Sequence, residues 1–176
     1  MPDATVTAIR KDLLTRHNNL RIQRNGKTML VVDSGLQSRA QAWADYMART
    51  RDYRHMQYAD PSGWNTFINY CYKFKHIMSD NRYHWSGGEN IAVGQTTTFQ
   101  VMHDWRYSCK HYYAMVDGTN THVGFGVSRA SNGVLYWCTR FGGYDGQLEN
   151  RACPSEHTFN SSDAWRCPGG GRCAPY

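Results

Sequence analysis

Apolar residues recur at helical spacing in three places along the chain. Val6, Ile9, Leu13 and Leu20 fall on one face of a helix predicted over residues 4–20, with Asp3 or Thr5 placed to cap it. Leu36, Ala40, Trp43, Ala44 and Met47 do the same for a second helix over 36–50, which Ser34 can cap. Val101, Trp105 and Ser108 lie on one side of a third, over 98–108, with Thr97 or Thr98 at its start. The period then changes. "HVGFGVS" and "VLYWCTRF" alternate across residues 122–141 and are separated by "SNG", which predicts a hairpin with Val123, Phe125 and Val127 on one face. "QRNGKTM" reads as a turn and "TMLVVD" as a further strand. Residues 56–85 are aromatic and polar; "DPSG" there marks a turn, and "NTFINYCYKFKHIM" reads as a short helix. Helices first and a hairpin last give an α+β domain, with helices packed on an antiparallel sheet.

Composition adds boundaries. A length of 176 residues with 40% hydrophobic content supports one compact domain with a real core and a small appendage. After Gly143 the chain turns polar and rich in Pro, Gly and Cys, so the expected organisation is a domain over 1–148 and a disulfide-stapled extension over 149–176. The six cysteines form no C-x-x-C pair, which argues against a zinc ribbon and for a disulfide framework in an oxidising compartment. Six cysteines allow fifteen pairings, among which the sequence does not choose. The "NSS" sequon at Asn160 fits the same secreted, extracellular location. No apolar run is long enough to cross a membrane, and "MPDATVTAIRKD" lacks the apolar centre of a signal peptide. The net charge of +6 favours anionic partners. Its scattered Lys and Arg residues, with no recognition motif, exclude nucleic acid from the expected ones.

Chemistry concentrates at predicted element boundaries. In "SGGENIAVG", paired glycines precede Glu89 and allow a sharp backbone path that would hold the carboxylate at an angle. His55 follows the second helix and His111 the third. Two imidazoles and a carboxylate can ligate zinc and leave a position for water, or act without metal as base and orienting acid. Glu89 alone is equally consistent with a structural carboxylate bonded to backbone amides, and His17 and His122 with packing and local hydrogen bonds. No nucleophile is evident: Ser86 and Ser108 lack a G-x-S-x-G setting, and all six cysteines can pair.

Five segments, in order, carry a family resemblance. "LLTRHNNLR" at 13–21 resembles the first-helix signature of the CAP superfamily (SCP/TAPS), which comprises cysteine-rich secretory proteins, antigen 5 and pathogenesis-related class 1 proteins. "LQSRAQAWADYMARTRDYRH" resembles its second helix, ending on a family histidine, and "GENIAVG" its most recognisable motif. "WRYSCKHYYAMV" is similar to the W-x-x-S-x-x-H pattern of the bacterial branch, and "VGFGV" with "LYWCTRFGG" to the closing hairpin. The resemblance covers about residues 5–143 and implies an α-β-α sandwich with a central antiparallel sheet flanked by helices. It also implies a cleft to which His55, Glu89 and His111 contribute. Many eukaryotic members carry a second glutamate shortly after the position of Trp105; here Ser108 or its neighbours stand there, with Asp104 on the other side and His84 or His122 as conceivable substitutes. The implied function is a secreted protein binding a lipid or sterol, a glycan or a protein ligand, with zinc or another divalent cation as the implied metal. A metal-assisted hydrolase using the same three residues is the alternative.

Overall fold

The computed structural model describes residues 1–24, 29–54, 74–77, 83–118 and 120–143, with the backbone alone over 74–77 and 83–87. In chain order these form α1 (Asp3–Gln23), β1 (Val31–Val32), α2 (Ser34–Thr50), β2 (Phe74–Ile77), β3 (Tyr83–Val93), α3 (Thr98–Tyr107), α4 (Cys109–Val116), β4 (His122–Arg129) and β5 (Leu135–Gly143). The strands make one five-stranded sheet in the order β1-β4-β5-β3-β2. Its β2–β3, β3–β5 and β4–β5 pairs are antiparallel. The expected antiparallel sheet needs one correction: β1 pairs parallel with β4, so the sheet is mixed. The chain between these two strands runs through α2, β2, β3, α3 and α4, a connection long enough for the crossover that parallel pairing requires.

The sheet carries helices on both faces. Strand alternation divides β5: Leu135, Trp137 and Phe141 join a core with α1, α3 and α4, whereas Tyr136 and Cys138 face Trp43, Ala44 and Met47 of α2. On β4, Val123, Phe125 and Val127 enter the first core as the alternation predicts. The intervening Gly124 and Gly126 lie under α2. A Cβ on either would fall well inside contact distance of the α2 backbone, at Leu36 and Gln37 or at Ala40. The missing side chains let α2 approach the sheet at backbone range. Gln37 and Gln41 then donate to the carbonyls of Phe125 and Val127.

Local chemistry sets the helix ends. α1 starts after Pro2 without a side-chain cap, so neither Asp3 nor Thr5 plays that part. For α2 the cap is Asp33, whose carboxylate accepts from the Leu36 amide, and not Ser34. Thr97 and Gln100 form a capping box on α3. α3 stops at Tyr107, and one extended residue, Ser108, turns the chain directly into α4. His111 therefore lies in the first turn of a helix, not in a loop after one. The short helix read over "NTFINYCYKFKHIM" is a strand at 74–77; its remainder lies outside the described residues, as do the boundary at 148, the extension over 149–176 and Asn160.

"HNNLR" in α1 builds structure. His17 is fully buried, bonds the Leu13 carbonyl through Nδ1 at 2.8 Å, and packs against Trp105, Phe125 and Phe141. Asn18 brackets Leu30, donating to its carbonyl and accepting from its amide, as a strand neighbour would. The Arg21 guanidinium, also fully buried, donates to the carbonyls of Met115, Asp117 and Asn120. It thereby satisfies groups at the C-terminal end of α4 that the helix itself leaves unpaired, where positive charge is also favoured.

Candidate functional site at the open edge of β3

β3 is paired on one side with β5 from Gly88 to Val93, with Glu89 opposite Arg140. On its other side β2 reaches only as far as Ser86. The register shifts between Trp85 and Gly88, and Gly88 takes φ +142°, a conformation closed to most side chains. The glycine frame therefore serves a bulge at the point where β3 leaves β2. Beyond it, the outer edge of β3 has no strand partner among the described residues.

Side chains from both layers close on that edge. The Ile91 carbonyl accepts from Trp105 Nε1 of α3 at 3.0 Å and from the Tyr53 hydroxyl, just past α2, at 3.2 Å. Trp43 of α2 donates to the Arg54 carbonyl at 3.2 Å. These bonds pin residues 53 and 54 immediately before His55. His55 itself lies outside the described residues.

Glu89 shares the α2 face with Ile91. Its Oε2 lies 2.7 Å from Arg140 Nη2, and the arginine and glutamate side chains are 2% and 6% exposed. The Cys138 thiol donates to the same oxygen at 3.8 Å. Burial, and then the adjoining carboxylate, push that thiol well up, so it stays protonated and unreactive. Cys138 is a free cysteine, which corrects the expectation that all six pair; Cys109, at the start of α4, is disulfide-bonded.

His111 approaches from the opposite face. Its ring bonds Ser108 Oγ through Nδ1 at 2.8 Å, and its carbonyl accepts from Asn90 Nδ2 at 3.0 Å. Glu89 and Asn90 are consecutive, so the structure ties Glu89 and the His111 turn to successive residues of one strand. A group from each face can meet the other only around the open edge. Ser108, in the region of the missing second glutamate, supplies a hydroxyl that orients the His111 ring. Asp104 stands on the outer side of α3, bonded to Gln95 and His103. His122 bonds Thr121 at the start of β4; the side chain of His84 lies outside the described residues. Among the described residues no three His, Cys, Asp or Glu side chains gather as a cation site, and the trio requires His55.

Sequence reasoning missed Arg140, Tyr53 and the indole of Trp105. Arg140 carried a signal: an arginine inside the apolar run "LYWCTRFGG" of a buried strand demands a carboxylate partner.

Comparisons with known proteins agree with this architecture. An outer surface protein from Borrelia burgdorferi superposes with a TM-score of 0.58 at 18% identity, over 77% of this chain and 92% of that one. Venom allergen-like protein 4 of Schistosoma mansoni gives 0.51 at 19% identity, over 77% and 89%. BmVAL-1 gives 0.51 at 16% identity, over 76% and 75%. At such identities the likeness is one of fold. No curated protein gives a significant sequence match. Among the described residues no helix is long and apolar enough to cross a membrane. Residues 14–141, most of the chain, match the profile of the cysteine-rich secretory protein family, and the chain belongs to that CAP family.

Proposed function

We propose that this CAP domain is an extracellular ligand-binding protein whose site runs along the open edge of β3, and that its ligand is an amphipathic lipid or sterol. The observation that carries the reading is the Ile91 carbonyl, on which Tyr53 and Trp105 converge from opposite faces of the sheet. They fix the two layers around an edge that no described strand covers, where His111 stands on one side and Tyr53 on the other. The sequence of residues 56–85, next along the chain, is rich in Trp and Tyr, residue types suited to a molecule with one apolar and one polar end.

Two imidazoles and a carboxylate would suit a divalent cation such as zinc. Ser108 holds His111 through Nδ1, so a cation would be met by Nε2, the arrangement in which a second partner orients a ligating imidazole. His55 and Glu89 would complete the set. A bound cation would supply Lewis acidity and a water of lowered pKa. The hydrolase reading with the same residues is weaker, because Arg140 occupies Oε2 of Glu89 and a proton arriving there would break a buried ion pair.

Binding of tritiated cholesterol and of palmitate to wild type, Tyr53→Ala and His111→Ala tests the reading. Loss of at least about tenfold in affinity is expected for both variants, the contribution of one or two good contacts. Undiminished binding by both would reject the site. Zinc retention in equilibrium dialysis should fall in His55→Ala and His111→Ala; unchanged retention would remove the metal from the account. Peptide hydrolysis that withstands Glu89→Gln would leave the hydrolase reading without a base.

A further inference from the structure

The outer face of α3 carries an unusual row. Phe99, His103 and Tyr107 recur every four residues, one above the other. Phe99 is 62% and Tyr107 52% exposed. Ring centroids are 6.3 Å apart from Phe99 to His103 and 4.6 Å from His103 to Tyr107. Helical geometry aligns such residues in any helix, but burial normally claims large aromatics, and a contiguous exposed group of them marks a contact surface. Beside the row opens a pocket of about 430 Å³, within the size range of small-molecule sites, lined by the 94–96 loop and by Phe99, His103 and Asp104.

The polar side of this pocket is built, not incidental. Gln95 Nε2 donates to Asp104 Oδ2 at 2.8 Å, and His103 Nδ1 lies 3.3 Å from Oδ1. Those two bonds, that from Gln95 foremost, hold the Asp104 carboxyl below its usual range, so it is an anion and accepts only. Gln95 Oε1 is covered and has no hydrogen-bond partner among the described residues. The loop beneath is fixed: Trp137 Nε1 of β5 donates to the Gln95 carbonyl at 2.9 Å, and Gly94 donates to Leu135. Arg16, in an ion pair with Asp12, stands 5.9 Å over the Phe99 ring and fixes that end of the row.

We propose that the Phe99–His103–Tyr107 face and the Gln95–Asp104 pocket form a second binding site, separate from the β3 edge, and that it takes a neutral oligosaccharide. A pyranose ring suits this surface on both counts: an apolar C–H face to lie against the aromatic rings, and hydroxyl donors for the half-exposed Asp104 carboxylate. A lipid tail has no donors for Asp104, and an anionic ligand would meet its charge. Four helical residues span about 6 Å, at about 1.5 Å each, which lets consecutive rings meet consecutive sugars.

The test is a printed array of neutral oligosaccharides, followed by saturation-transfer NMR with the soluble form of the best binder. The result expected is binding that saturates, with transfer from aromatic protons, and that weakens at least tenfold in Phe99→Ala, in Tyr107→Ala and in Asp104→Asn. All three positions are exposed, so each variant should keep the wild-type circular dichroism spectrum, and each should keep the cholesterol binding assigned to the β3 edge. The proposal is overturned if no neutral oligosaccharide binds above an albumin control, or if binding withstands both aromatic substitutions. Binding confined to phosphatidylcholine vesicles or to peptides would also overturn it. So would joint loss of sugar and cholesterol binding in a folded variant, since the two surfaces would then be one site.

Discussion

Arg140 and Glu89 lie directly opposite each other on neighbouring strands, 2.7 Å apart at Nη2 and Oε2, in a region almost closed to water. Neither charge could be held there alone. Removing one partner leaves the other buried and uncompensated, which costs about 3–5 kcal/mol, whereas replacing both by neutral groups of similar size costs far less. Arg140→Met and Glu89→Gln should each lower stability strongly in urea titrations, and the double variant should recover much of the loss. Additive losses in the double-mutant cycle would show that the two residues act independently.

His17 makes the core acid-sensitive. Burial lowers its pKa from 6.5 to about 4, against the pull of the Leu13 carbonyl and with the help of nearby Arg21. The unfolded chain takes up a proton that the folded core refuses between those two values. The His17 contribution is therefore intact above pH 6.5 and is lost as pH falls towards 4, by about 3 kcal/mol at roughly 1.4 kcal/mol per unit. The urea midpoint of wild type should fall more steeply over this window than that of His17→Leu, whose carboxylates are the same. Parallel pH profiles would contradict the assignment.

Arg21 is a brace between α1 and the end of α4. Its guanidinium serves three carbonyls in one planar fork. Arg21→Lys keeps the charge but cannot reproduce that fork. It should cost at least about 2 kcal/mol, since a charge-assisted hydrogen bond contributes roughly 1.5–3 kcal/mol and others are disturbed with it. Thermal unfolding reads this directly; a melting temperature within a degree of wild type would refute the brace.

The two glycines of "VGFGV" predict a steric outcome. In Gly126→Ala the new methyl group meets the Ala40 carbonyl of α2, a backbone atom that cannot rotate away. Overpacking of this kind costs typically about 1–3 kcal/mol, and both glutamine bonds from α2 to β4 should weaken with it. Faster amide exchange in α2 than in α3 is the expected signature; an unaltered exchange pattern would contradict close approach.

What the sequence disclosed and what it withheld divide along a physical line. Helices α1, α2 and α3 and the β4–β5 hairpin were legible because each is set by its own periodicity and turn residues. α4 was not, because only Ser108 separates it from α3 and "CKHYYAMV" shows no clear apolar stripe. The composition of β2 suggests helix; its pairing with β3 makes it a strand. The parallel edge strand and the Glu89–Arg140 pair depend on contacts between distant segments; the latter spans 51 positions. Of the candidate site, positions at element boundaries and the resemblance singled out His55, Glu89 and His111, of which His55 lies outside the described residues. Neither supplied Arg140 or the Ile91 carbonyl that organises the edge.

We propose that His55, Glu89 and His111 meet around the open edge of β3. Crystals soaked in zinc, with diffraction recorded across the zinc absorption edge, test it most directly. One anomalous peak is predicted within bonding range of both imidazoles, beside the carboxylate, and absent from His111→Ala crystals. Rings of His55 and His111 facing different surfaces, with zinc bound elsewhere or in an unchanged position in the variant, would contradict it.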